Sequence, residues 1–306
     1  MSVQVSYKKQ TVFFMLSILI ILSVVEFTIR IYDYYNPNCN FVNSDVFADV
    51  DDNLKLQICR DNVSLKWEIN PLFLIPNQNL NTITVNSDGF RGNELSANPD
   101  YRIFVIGGST TFGVGATSDS KTIPYFLQEK MNQVFPNQNV EIINAGIPQA
   151  YSFTESTLIK EKILLYSPDL LIIYDGWNDL VADYPVKGIV DKWERTCFEA
   201  YKNNFDLIIT LQPIAGFGNK QLTDQEYINS LTGKDHNGFQ LIQAKATYEW
   251  MKKELQSLGL DAERELGKGI CETHDLRSIF DDVKGPVYWD QAVSYTHLTL
   301  PTTPYV

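Results

Sequence analysis

The chain has 306 residues, of which 44% are hydrophobic and 12% aromatic, a composition that can bury a core and that excludes a disordered chain. Its formal net charge of −12 argues against a nucleic-acid-binding protein, because binding phosphates requires clustered lysine and arginine side chains. The length fits one domain of about 200 residues with a smaller region before it.

The first predicted element is a transmembrane anchor over residues 11–32, which follows a short cytoplasmic tail, residues 1–10. Such a helix would span a bilayer, which requires roughly 20 residues. Lys8 and Lys9 precede it and favour a single-pass topology with the rest of the chain outside the cytoplasm. A cleaved signal peptide is the alternative, because the strictly apolar part is short, but no Ala-x-Ala-like site follows it. Either interpretation exports the domain.

Residues 33–100 are rich in Asn and Asp and interrupted by Pro, which predicts a loop-rich extracytoplasmic segment with short strands, one of them at 82–85. From residue 101 the pattern changes to apolar strands alternating with helices. Strands are predicted at 102–106, 140–143, 170–174 and 207–211, and helices at 121–134, 153–166 and 239–257. This alternation predicts an α/β domain with a parallel central sheet covered on both faces.

Three predicted turns at the carboxyl ends of these strands carry residues suited to chemistry. Ser109 stands on a tight glycine turn, which exposes its hydroxyl at a strand end. Gly146 lets a backbone N–H approach an oxyanion closely, and the Asn178 side chain can donate a further hydrogen bond to it. Because ligands in such sheets bind at the carboxyl ends of the strands, we expect the three to share one pocket. Asp179 is interpreted as a helix cap.

These turns resemble the sequence blocks of the SGNH (GDSL-like) hydrolase family, which carry Ser, Gly, Asn and His in that order. Ser109, Gly146 and Asn178 match the first three blocks, and residues 86–92 resemble a segment that precedes the core in membrane-anchored members. The resemblance implies a flavodoxin-like three-layer sandwich, preceded here by one transmembrane helix. It also implies that Ser109 is a nucleophile and that the three residues form an oxyanion hole.

The last block of the family reads Asp-x-x-His, and residues 287–292 resemble its beginning. Asp290 would orient a histidine three places further on, where this chain has Val293. Residues 293–306 resemble the translated read-through of a sequencing adapter, so we interpret them as a non-native tail after a truncated hydrolase-like domain, 101–292. His297 lies in that tail at the wrong spacing. His274 and His236 are interpreted as structural or loop residues.

The resemblance implies a serine esterase acting on a small-molecule or glycan ester, with acylated glycan or lipid suggested by the exported location. It implies no cofactor and no metal, and the chain without its histidine should be almost inactive. A carbohydrate O-acyltransferase and a non-catalytic SGNH-like glycan-binding surface protein are the alternatives. A phosphate-binding loop at 107–115 is disfavoured, because it lacks the Walker lysine and the Gly-x-Gly-x-x-Gly pattern. The sequence does not indicate an oligomeric state.

The four cysteines form no Cys-x-x-Cys pair, which disfavours a zinc or redox motif. Two disulfides are compatible with an exported domain, and Cys39 with Cys59 is the simplest pairing because both lie in one short region. Four unpaired, partly buried thiols are the alternative.

Overall fold

The computed structural model describes residues 6–35, 37, 39–182, 185–231 and 241–290. It divides into two compact units, Met1–Asn40 and Phe41–Val306, which are treated separately. The predicted tail, with Val293 and His297, and the loop residue His236 lie outside the described residues.

The first unit is a single long helix, α1 (Tyr7–Tyr35), which extends the predicted span at both ends. Its best 18-residue window has a mean hydropathy of 2.6, and none of its side chains is buried. The Arg30 guanidinium lies 2.7 Å from the Glu26 carboxylate, as the i,i+4 spacing predicts. A membrane span and a signal sequence both have this length and composition.

Residues 41–100 are more regular than predicted. They contain helix α2 (Asp52–Ser64) and two small antiparallel pairs, β1 (Trp67–Ile69) with β2 (Leu72–Leu74) and β3 (Gln78–Asn79) with β4 (Thr84–Val85). The start of α2 is fixed by a cap, because the Asp51 carboxylate accepts hydrogen bonds from the Asn53 and Leu54 N–H groups. The polar composition of this helix concealed it from a prediction based on apolar periodicity.

The second unit is built on a five-stranded parallel sheet. Its strands are β5 (Tyr101–Gly107), β6 (Val140–Gly146), β7 (Leu170–Asp175), β8 (Asp206–Leu211) and β9 (Cys271–Asp275). They are arranged in the order β6-β5-β7-β8-β9, which is the 2-1-3-4-5 order of flavodoxin-like folds. The predicted α/β fold with a parallel central sheet is therefore confirmed, and β9 adds an edge strand to the four that were predicted.

Helices connect the strands on both faces of the sheet. They are α3 (Ser109–Phe112), α4 (Ile123–Val134), α5 (Ser152–Glu161), α6 (Trp177–Val181), α7 (Val186–Asn203), α8 (Asp224–Leu231) and α9 (Leu241–Glu265). The crossover through α4 runs in the opposite direction along the sheet from those through α5, α7 and α9. Because crossovers are right-handed, the two groups cover opposite faces. The contacts agree, since α4 packs on β6 while α7 contacts both α5 and α9.

A disulfide joins the helical layer to the edge of the sheet. Cys197 of α7 is bonded to Cys271 of β9, with the two Cα atoms 5.4 Å apart. This pairing spans 74 residues and differs from the local one that the sequence suggested first. The pairing of Cys39 with Cys59 stays a prediction.

Candidate active site

The register of the sheet brings the three turns together. Gly107, at the end of β5, is paired with Gly146 on β6 and with Tyr174 on β7. The segments that follow these residues therefore leave the sheet side by side at its carboxyl edge. His274 lies on β9, which two other strands separate from β5, and half of its side chain is exposed, so it is remote from these turns.

Ser109 is the first residue of the short helix α3, after the N-cap residue Gly108. It is partly exposed, whereas the residues on either side of it are buried. Its carbonyl oxygen accepts hydrogen bonds from the N–H groups of Gly113 and Val114, both at 2.9 Å, which close the turn behind it. The Ser109 side chain is therefore partly exposed, while hydrogen bonds fix the backbone of its turn.

Arg91, to which the sequence assigned no individual role, supports this turn. Its buried guanidinium donates to the carbonyl oxygens of Phe112 and Gly113, at 3.0 and 2.8 Å, and also to Thr82. It pairs with Asp119 at 2.8 Å. Burial lowers the pKa of Arg91, and the Asp119 carboxylate opposes that shift. Arg91 thus fixes the carboxyl end of the helix whose first residue is Ser109.

The Asn178 side chain lies against the turn that carries Ser109. Its Nδ2 donates to the Ala150 carbonyl oxygen at 2.6 Å. A Cβ atom placed on Gly108 would lie only 2.3 Å from this nitrogen, so glycine is required there for the approach. The amide nitrogen carries two N–H groups, and the hydrogen bonds of the described residues use one of them. The other N–H has no acceptor among these hydrogen bonds.

Gly146 is buried at the end of β6, where it allows close packing. A Cβ on it would lie 2.2 Å from the Phe112 nitrogen, so α3 can approach the strand only because this residue is glycine. Its N–H donates to the Asn144 Oδ1 at 3.0 Å. The role of Gly146 as an oxyanion donor therefore stays a prediction. This hydrogen bond argues against it, because it already uses the Gly146 N–H.

Gln149, which the sequence analysis did not identify, lies in the loop after β6. It is exposed and has a φ of 70°, a left-handed conformation that is uncommon for residues other than glycine. The Ala150 N–H closes a turn onto the Ile147 carbonyl oxygen at 2.9 Å, whereas no hydrogen bond of the described residues uses the Gln149 N–H. Its neighbour Ala150 is the residue that Asn178 contacts. A positive φ at a glutamine cannot be recognised from sequence.

The segment that carries Asp290 is tied to the core by Glu226. One Glu226 oxygen accepts from the N–H groups of Val287 and Tyr288, at 2.8 and 3.0 Å, and the other contacts Lys220 at 2.9 Å. Burial raises the pKa of Glu226, but these hydrogen bonds more than offset that and hold the pKa below its usual value.

Trp289 connects this segment with the turn that follows α3. Its indole nitrogen lies 3.5 Å from the position of a Cβ on Gly115. The Trp289 ring also packs against Phe41, with the ring centroids 4.7 Å apart. The neighbouring Asp290 is partly exposed, and the position three residues beyond it is outside the described residues.

No family model and no curated protein matches the sequence. Among solved structures, the chain is similar to the acetyl xylan esterase AlAXEase, with 13% identity over 64% of this chain and 92% of that one, at a TM-score of 0.46. It is also similar to Axe2, an acetylxylan esterase from Geobacillus stearothermophilus (12% identity, 66% and 90% coverage, TM-score 0.46). A third similar structure is TesA, with 12% identity over 60% of this chain and 82% of that one, at a TM-score of 0.41. These values are too low to assign an activity.

Proposed function

We propose that this chain is an SGNH-type serine esterase in which Ser109 is the nucleophile. The observation that carries the proposal is the position of the Asn178 amide beside Gly108, directly before Ser109. A hydroxyl that is partly exposed next to a fixed N–H donor, at the carboxyl edge of a parallel sheet, suits attack on a carbonyl whose oxygen becomes an anion. Either group alone would be unremarkable as a helix start or a loop contact.

The oxyanion in this proposal is held by three donors. The Ser109 N–H is the first of its helix and has no acceptor within it. The second N–H of the Asn178 amide is another donor, and the third is a main-chain N–H from the end of β6 or the loop after it. Because the Gly146 N–H is engaged with Asn144, we assign this third donor to Gln149. Each such donor is typically worth roughly 3 kcal/mol of transition-state stabilisation.

The general base in this proposal is a histidine oriented by Asp290. It would remove the proton from the Ser109 hydroxyl as the oxygen bonds to the ester carbonyl carbon, and would return it to the departing alcohol. Water, deprotonated by the same base, would then attack the acyl-enzyme, release the acid and restore the serine. We place this histidine three residues after Asp290, where the chain has Val293. The 306-residue chain should therefore hydrolyse esters slower by roughly 10⁴-fold or more.

The proposed substrate is an acylated glycan or lipid outside the cytoplasm. Support comes from α1, whose length and mean hydropathy suit a membrane anchor, with Lys8 and Lys9 at its cytoplasmic end. The Cys197–Cys271 disulfide is a second argument, because such bonds persist in oxidising compartments. An anchored domain of this kind would act on material held near the same membrane.

The test compares acetate release from an acetylated glycan and from a small acetate ester. The protein is produced from its own gene, read through its natural end, beside the 306-residue chain. We expect activity in the protein from its own gene, little in the 306-residue chain, and none in the protein from its own gene after Ser109→Ala. The matched control is Ser120→Ala, because Ser120 lies in the loop before α4 and contacts only Ser118 among the hydrogen bonds of the described residues. Equal activity of the Ser109→Ala protein and its parent would refute the proposal.

A further inference from the structure

Three acidic side chains are buried together behind the Asn178 turn. Glu155 comes from α5, Asp175 from the end of β7 and Asp179 from α6, and their exposed fractions are 2%, 3% and 0%. No salt bridge in the described part of the chain involves any of them. The described residues also contain no group of three or more His, Cys, Asp or Glu arranged to hold a metal ion. Three buried carboxyls without a cation cannot all be ionised.

The contacts within the group show how its protons are held. Asp175 accepts from the Gly176 N–H at 2.6 Å and from the Trp193 indole N–H at 3.2 Å. Asp175 and Asp179 are buried close enough to raise the pKa of Asp179, which favours a state in which at least one of the two carboxyls is protonated. Both oxygens of Glu155 are buried without a hydrogen-bond partner among the described residues, so its neutral form is strongly favoured.

The electrostatics act in the same direction. Burial raises the pKa of Glu155 and of Asp179, and the negative charge of Asp175 raises both further. Burial also raises the pKa of Asp175, against the hydrogen bonds that it accepts. The phenol of Tyr248 on α9 also lies near Asp175; burial and the Asp175 charge raise the pKa of Tyr248, and the charge of Arg277 opposes that shift. The charge of the group is therefore reduced by protonation rather than by a paired cation among the described residues.

Asp179 connects this group to the site. Its carboxyl accepts from the Ser152 hydroxyl at 2.6 Å and from the Ser152 N–H at 3.2 Å. Asn178, the preceding residue, donates to the carbonyl oxygen of Ala150, two residues before Ser152. Two adjacent residues of α6 thus hold two points of one short segment. The Asp179–Ser152 bonds fix the segment whose carbonyl orients the Asn178 amide.

We propose that Asp179 is a positioning residue of the oxyanion hole: through its hydrogen bonds with Ser152 it fixes the segment whose Ala150 carbonyl oxygen holds the Asn178 amide. This inference rests on the proposed function for its catalytic meaning, but the positioning itself does not depend on activity. When the group ionises at alkaline pH, repulsion between Asp175 and Asp179 should loosen the Ser152 contact and release the amide.

The first test measures positioning alone, on the 306-residue chain in detergent micelles with ¹⁵N-labelled asparagine and tryptophan. In Ser152→Ala we expect the Asn178 side-chain N–H signals to shift and their hydrogen exchange to speed up about tenfold, because the segment is no longer fixed. Asp179→Asn keeps an acceptor for Ser152 and should leave those signals in place at neutral pH. Thr157→Ala is the matched control, since Thr157 lies in the same helix and, among the hydrogen bonds of the described residues, contacts only the Phe153 carbonyl oxygen.

Raising the pH should move the Trp193 indole N–H signal in the parent chain and move it less in Asp179→Asn. Asn178 signals that are the same in Ser152→Ala and the parent, or a Trp193 signal that titrates equally in Asp179→Asn, would overturn the positioning role.

The second test follows hydrolysis by the protein from its own gene. We expect Ser152→Ala to lower kcat about tenfold or more with little change in KM, and Asp179→Asn to shift the alkaline limb of the pH profile. Activity that survives Ser109→Ala would refute the proposed function while leaving the first test decisive.

Discussion

The two glycines beside the site should respond differently to the same added methyl group. In Gly108→Ala the new Cβ would lie 2.3 Å from Asn178 Nδ2, which is the end of a side chain that can rotate away. In Gly146→Ala it would lie 2.2 Å from the Phe112 nitrogen and 2.7 Å from two further main-chain atoms. Main chain cannot move aside in this way, because α3 is fixed to the sheet and to Arg91.

The magnitudes follow from these contacts. Gly108→Ala gives up the hydrogen bond from Asn178 to Ala150, about 1 kcal/mol. The φ of −82° and ψ of −147° at Gly108 lie outside the α and β regions, so alanine adds backbone strain of roughly 1 kcal/mol there. The free energy of unfolding of Gly108→Ala should therefore fall by about 2 kcal/mol, less than that of Gly146→Ala. Gly146→Ala overpacks a buried backbone contact and should lower the free energy of unfolding by about 3 kcal/mol.

Gly108→Ala should be the more stable of the two variants, yet its activity should still fall strongly. Gly108→Ala should lose one oxyanion donor, which corresponds to roughly 10²–10³-fold in kcat with the fold intact. Stability is measured by urea unfolding of the 306-residue chain in detergent. Activity is measured as steady-state hydrolysis of a small acetate ester by the protein from its own gene. If Gly108→Ala unfolds as readily as Gly146→Ala, or if its kcat equals that of the parent, the placement of Asn178 as a donor is wrong.

Three further predictions concern stability, measured by urea unfolding. Arg91→Met should lower the free energy of unfolding by at least about 3 kcal/mol, because it strands buried carbonyl oxygens; a loss below 1 kcal/mol would contradict this. Because the pKa of Glu155 is raised in the folded protein, its neutral carboxyl favours folding fully below about pH 4. This contribution to the free energy of unfolding is lost as the pH rises towards the folded-state pKa. Glu155→Gln should therefore stabilise the protein at pH 8 relative to pH 5, compared with the parent. Reducing the Cys197–Cys271 bond, which closes a 74-residue separation, should cost about 4 kcal/mol, and no change would show that the bond is absent in solution.

The sequence was sufficient for the elements whose signals are local. Four strands of the sheet were predicted because each is a short apolar run, and the turns after three of them were identified by their glycines and polar residues. The alternation with helices was enough to predict a parallel sheet, and the strand order agrees with the flavodoxin-like arrangement.

The features that were missed depend on residues far apart in the chain. The Cys197–Cys271 bond requires α7 to lie over the sheet edge, and nothing near either cysteine indicates this. Asp179 was interpreted as a cap of the helix after the third predicted turn, yet its carboxyl accepts hydrogen bonds from Ser152, 27 residues earlier. Helix α2 has a polar composition and is marked mainly by the Asp51 cap.

Several features that weaken the fold lie near the carboxyl edge of the sheet around Ser109, although Asn77 and Ser44 show that such features also occur elsewhere. Glu155 is buried there without a partner among the described residues, and so is the hydroxyl of Thr111, one turn into α3. Gln149 adopts a left-handed conformation without ending a helix, whereas Ser167 and Asn204, with similar φ values, each end one, where this conformation is usual. Such features cost roughly 1–3 kcal/mol each and persist where the surroundings or selection for function maintain them. Their position at this edge is an argument for the proposed site that does not depend on any sequence motif.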